Sequence, residues 1–197
     1  MFKDSDFKVF EDPTLEGRMD KIRSVIDPTF EEFAEAALPI LKEDGQVWYA
    51  HVAKHIMRKT NPVDNTWVAF APNKRGYKMM PHFEMGMWED HIYLYLAVEE
   101  NMKPKQTDEI VPKLRAIADK VAKLPAEYVL SQQHMINANV PLSEYAATLA
   151  RFEKVKTAEV LIGVRIDRGD ERFGTPDMQN YLLEVLKTLL PIYAELK

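Results

Sequence analysis

His82 and Glu84 stand two residues apart. In an extended strand that spacing puts both side chains on one face. An imidazole titrates near neutrality, and a neighbouring carboxylate raises its pKa and orients the ring. The pair is therefore a candidate general acid/base couple, the two residues to which catalysis would be assigned. The competing reading is a structural polar pair, hydrogen-bonded to Tyr95 and Trp67 beneath a covering loop. His51, His55, His82, Glu84 and His91 have the ligand chemistry of a metal site. Residues four apart on a strand are ~13 Å apart, too far to share one ion, so no metal ligand is expected from this set.

Other side chains fall on the same face. Trp67, Trp88, Tyr93 and Tyr95 can stack on planar groups. His51, His91 and Arg165 add polar contacts, and Lys74, Arg75 and Lys78 make a basic rim. The net charge is −5, yet residues 54–78 carry six positive side chains against Asp64 alone, which leaves −10 for the remainder. A basic island in an acidic chain draws a compact anion to one place. The expected ligand is small, anionic and partly planar, nucleotide-like in character. A nucleic-acid or protein interaction module without catalysis is the alternative. It lacks an RNA-recognition signature, and the overall charge opposes it. A third reading is an acid–base enzyme using His82, with no nucleophile or substrate indicated. Set against all three, basic hairpin tips are commonly just solvated, and the aromatics would serve equally as a second small core under the 54–65 loop or the 126–140 segment.

The elements that position these groups begin with Asn65–Glu100, which reads as three antiparallel strands joined by two hairpin turns. A two-residue turn at Glu89-Asp90 sets Trp88 against His91, Gly86 against Tyr93, Glu84 against Tyr95 and His82 against Ala97. The intervening residues, Phe83, Met85 and Met87 with Ile92, Leu94 and Leu96, make a wholly apolar face. Val68 and Phe70 continue that face, while Trp67 and Ala69 join His82. Gly86, lacking a side chain in mid-strand, leaves room for a close approach.

Helical periodicity marks the flanks. Residues 2–10 read as a short strand or arm, and Asp12-Pro13 and Asp27-Pro28 as two helix starts, with Gly45 ending the second helix. Residues 46–55 read as a strand, with a helix as the alternative. A helix carries Ile110, Leu114, Ile117 and Val121, the 126–140 segment holds one short strand, and a further helix carries Tyr145, Leu149 and Phe152. Residues 159–167 form a strand, and Thr175-Pro176 opens the last helix. The fold class is α+β: a largely antiparallel sheet of about five to six strands with helices packed on its apolar face. At 197 residues the chain suits one domain over 1–197.

With no cysteine, disulfides, thiolate metal sites and cysteine nucleophiles are excluded. Phosphate-loop, dinucleotide and HExxH motifs are absent, so no cofactor is indicated. No apolar run reaches the ~20 residues of a membrane span and no signal peptide is evident, so a cytoplasmic location is expected. Oligomeric state leaves no trace in the sequence.

The run WVAFAPNKRGYKMMPHFEMGMWEDH, with HVAKH before it, resembles the YktB-like family of uncharacterised bacterial proteins. The resemblance covers essentially the whole chain. It implies a compact bacterial α+β protein and brings no activity, cofactor or site residue with it. It also implies that glutamine can stand in place of Glu84, which bears against a proton-transfer role there.

Overall fold

The computed structural model describes residues 1–103 and 105–197. Seven strands form one antiparallel sheet: β1 (Tyr49–Val52), β2 (Asn65–Ala71), β3 (His82–Trp88), β4 (His91–Val98), β5 (Tyr128–Ser131), β6 (Val140–Pro141) and β7 (Val160–Asp167). Their spatial order is β1-β2-β3-β4-β7-β5-β6. The helices are α1 (Leu15–Lys21), α2 (Asp27–Leu41), α3 (Thr107–Ala116), α4 (Ala118–Val121), α5 (Tyr145–Lys154) and α6 (Pro176–Leu196). The architecture is α+β as expected, with a sheet somewhat wider than five to six strands because 126–140 contributes two short strands instead of one.

The register of the central hairpin follows the apolar pattern: His82 pairs with Ala97, Glu84 with Tyr95 and Gly86 with Tyr93. Trp67 lies opposite Gly86 and Ala69 opposite Glu84 on the other side. On the opposite face Val68, Phe70, Phe83, Met85, Leu94 and Ile162 join the main core with Phe30 and Phe33 of α2 and Leu182 and Leu189 of α6. Aromatic edges lock the layers, with Phe33 against Phe70 at 6.0 Å and Trp48 against Tyr193 at 5.0 Å. A one-residue slip would turn His82 and Glu84 into that core, where an uncompensated charge costs several kcal/mol. Register and polarity therefore enforce each other.

Several local expectations are corrected. Residues Asp4–Glu11 form a 3-10 helix rather than a strand, with Phe7, Val9 and Phe10 buried. The cap of α1 is Thr14, whose hydroxyl accepts from the Gly17 N–H, while Asp12 instead accepts from the Thr14 N–H and hydroxyl. Asp27-Pro28 does not open a separate helix, because a π-helical turn at Ile22–Ile26 carries α1 continuously into α2. That turn keeps Ile22 and Ile26 buried in phase with Phe30.

The polar-aromatic face is roofed rather than open. Three loops meet over Trp67: His55 packs edge-on at 5.3 Å, His134 at 5.4 Å, and the Tyr77 hydroxyl accepts from the indole N–H at 2.9 Å. All residues of β2, β3 and β4 are buried as a result. Trp88, Tyr93, Tyr95, Ala97 and Leu161 form a second small core beneath the roof. The space left by Gly86 is filled from within, since a Cβ there would lie 2.3 Å from the Tyr93 ring.

Candidate metal centre

Strand parity does more here than align His82 with Glu84. Glu99 follows β4 directly and keeps the parity of Tyr93, Tyr95 and Ala97. Glu159 precedes β7 and keeps that of Leu161 and Gly163. The last pair between those strands is Val98 with Val160, so both carboxylates emerge at the His82 end of the sheet. The loop after β5 brings in His134, anchored where the Asn65 side-chain amide donates to its carbonyl at 3.2 Å.

The result is a cluster of five ionisable groups sealed from solvent. His82 and Glu84 are fully buried, and Glu99, Glu159 and His134 are 1%, 2% and 7% exposed. Donor atoms of His82, Glu84 and Glu99 lie within 4.8 Å of one another, and so do those of Glu99, His134 and Glu159.

His82 and Glu84 are each held from behind. His82 Nδ1 lies 2.9 Å from the Met80 carbonyl oxygen, a contact that makes Nδ1 the donor and turns Nε2 inward. Metal-binding imidazoles are oriented in this way. The Tyr93 hydroxyl donates to Glu84 Oε1 at 2.6 Å, which aims the second oxygen at the cluster. His82 Nε2, Glu84 Oε2 and both oxygens of Glu99 have no hydrogen-bond partner. The nearest approach among them, His82 Nε2 to Glu99 Oε1, is a long 3.4 Å. Each unpartnered buried group costs about 1–3 kcal/mol, and more when charged.

Charge is unevenly settled. Burial raises the pKa of Glu84, which Glu99 reinforces and His134 and His82 only partly offset. Burial also acts to raise Glu99, but His82, His134 and Lys78 outweigh it and hold the carboxyl below its ordinary value. Burial acts to lower His134, but Glu84 and Glu159 drive it up to about 9. Lys78, with its ammonium 3.4 Å from Glu99 Oε2, is the one residue of the expected basic rim seen to reach the cluster among the described contacts.

The remaining sequence candidates lie elsewhere. Lys74 and Arg75 are exposed on the loop after β2. His51 contacts the Asn73 carbonyl at 2.9 Å, and His55 contacts the Thr66 hydroxyl at 3.1 Å. His91 contacts Asp90 at 2.6 Å and stacks on Trp88, while Arg165 donates to Asp90, Asp167 and Asn137. These last groups sit at the Trp88 end of β3, roughly 20 Å of strand away from His82. Tyr95 accepts from the Asn139 amide at 2.8 Å rather than bonding the His82–Glu84 pair. The open groove with indole walls is thus replaced by a closed centre. His51 and His55, the pair whose four-residue spacing forbids a shared ion, lie outside the cluster, and so does His91. Glu99, His134 and Glu159 take their place. Glu99 and Glu159 fall inside the strand segments read over 65–100 and 159–167, and the same parity applied to these end residues puts both on the face of His82. His134 left no comparable signal.

The chain is thus an α+β protein whose antiparallel sheet carries a roofed histidine–carboxylate cluster. By sequence the chain belongs to the family described as Domain of unknown function (DUF1054), which it matches over residues 2–193. It is 59% identical over 197 residues to a UPF0637 protein of Leuconostoc mesenteroides subsp. mesenteroides, covering 100% of both chains. A UPF0637 protein of Lactiplantibacillus plantarum is 40% identical over 202 residues, covering 98% of this chain and 94% of the relative. One from Bacillus cereus AH187 is 34% identical, covering 98% and 96%. Among the described residues, no helix is long and apolar enough to cross a membrane.

Proposed function

We propose that the protein binds a divalent first-row metal ion through His82 Nε2, Glu84 Oε2 and Glu99 Oε1. The observation that carries this reading is the convergence of buried donor atoms that have no hydrogen-bond partner. Ligands bound tetrahedrally at ~2.1 Å stand about 3.4 Å apart, which is the His82–Glu99 separation of 3.4 Å. One imidazole with two carboxylates suits manganese, iron or zinc better than softer ions. A bound dication removes the cost of three orphaned acceptors and supplies a Lewis acid beneath the Lys78 side chain.

The nucleotide-like anion expected from the sequence has less support, because Glu84, Glu99 and Glu159 line the ground it would occupy. The metal-free alternative, His82 and Glu84 as an acid–base couple, draws on the inward-facing Nε2 of His82 and the raised pKa of Glu84. Thermal-shift measurements with Mn(II), Fe(II) and Zn(II) after chelator treatment separate the two. The metal reading expects a rise of several degrees in Tm with at least one ion. It fails if all three leave Tm unchanged.

A further inference from the structure

We infer that a second metal subsite lies beside the first, made by Glu99, His134 and Glu159, with the Glu99 carboxylate bridging the two ions. The inference rests on the reading of the first site and extends it to residues which that reading leaves unused.

Glu99 belongs to both sets of converging donors, and neither of its oxygens is hydrogen-bonded. Its Oε1 faces His82, so Oε2 is left for a second ion. A carboxylate that offers one oxygen to each side is the natural bridge between ions ~3.5–4 Å apart. The other two ligands are already placed. His134 Nδ1 and Glu159 Oε2 are 2.8 Å apart. Ligands at right angles on an ion with ~2.1 Å bonds stand about 3.0 Å apart, close to that 2.8 Å separation, so an ion held by both would replace the ring proton from beside the line of the present hydrogen bond. On binding, that proton leaves to solvent and Nδ1 takes the metal. Glu159 is held in register by the His134 backbone N–H, which donates to the same oxygen at 2.8 Å.

Lys78 supplies the entry route. Its ammonium is 3.4 Å from Glu99 Oε2, while its side chain is 46% exposed and Glu99 is 1% exposed. A single positive charge on a flexible stem thus reaches the Glu99 oxygen assigned to the second ion, and it can withdraw into water. Two dications bring four positive charges to three carboxylates. With Lys78 withdrawn, one bridging hydroxide drawn from solvent closes the balance. Two imidazoles and three carboxylates are a hard, carboxylate-rich set, which selects manganese(II) or iron(II).

The test is a titration of the full chain with Mn(II), in which the free ion is counted by its electron paramagnetic resonance signal. Two bound ions per chain, with the altered spectrum of an exchange-coupled pair, are expected. His134→Ala and Glu159→Gln should each reduce this to one ion with the six-line spectrum of isolated Mn(II). One uncoupled ion in the unmodified chain overturns the second subsite and leaves the first. No bound ion overturns both. Retention of two coupled ions by both variants also overturns the assignment.

Discussion

Both ends of the polar-aromatic face set histidine and carboxylates beside a cationic side chain, and they handle charge in opposite ways. At the Trp88 end, Arg165 donates to Asp90, Asp167 and Asn137, and His91 contacts Asp90. Asp90 and Asp167 are 47% and 73% exposed, so water screens whatever the network leaves over. At the His82 end the ionisable groups are more deeply buried, yet four donor atoms have no hydrogen-bond partner. A protein that merely needed polar residues at both ends could have satisfied both. The contrast supports the proposed metal reading of the His82 end, whereas the Arg165 end closes on its own hydrogen bonds and ion pairs.

Substitutions should separate the ends in order of size. Glu99→Ala removes a ligand common to both subsites and should weaken Mn(II) binding at least 100-fold, measured by calorimetric titration. If affinity is unchanged, the ends are alike after all. Tyr93→Phe removes only the hydroxyl that aims Glu84 and should weaken binding about 10–100-fold. Lys78→Met removes a competing charge and should tighten binding several-fold, most clearly at low salt. Arg165→Ala should leave metal affinity unchanged and lower stability by ~1 kcal/mol or less in chemical denaturation, as expected for a partly exposed ion-pair network.

His55, in the roof over Trp67, makes the stability of the fold depend on pH. Burial, with the Arg58 charge, lowers His55 to about 4 from 6.5. The unfolded chain therefore binds more protons across that interval. The contribution of His55 is complete above about pH 6.5 and is lost as pH falls toward 4. His55→Asn should flatten the acid limb of the stability curve by something on the order of 1 kcal/mol, discounted for partial exposure. Asparagine tolerates the left-handed backbone at this position, where φ is 49°.

Most of the sheet was legible because period-two alternation is strong in residues 65–98, and one face is purely apolar. The same parity made His82 and Glu84 visible as neighbours. It failed at the strand ends, where Glu99 and Glu159 look like solvated terminal residues, since nothing in the sequence says that loops will bury them. His134 was illegible for a different reason. It lies 52 residues from His82 in a segment without periodicity, and only the meeting of β5 with β7 carries it across. The basic island misled because Lys74 and Arg75 are exposed loop residues, and among the described contacts of the rim only Lys78 meets an acid. The helical flanks read well wherever a stripe was long. They read poorly at residues 12–28, where a π-helical turn kept the apolar phase without a break in the helix.

The most direct measurement of the central claim is the metal content of chelator-treated, Mn(II)-reloaded protein, compared with His82→Ala handled identically and checked for folding by circular dichroism. Stoichiometric manganese in the unmodified chain, with sharply reduced manganese in a folded variant, is the predicted result. Equal manganese in both, or none in either, would contradict the assignment of this buried cluster as a metal centre.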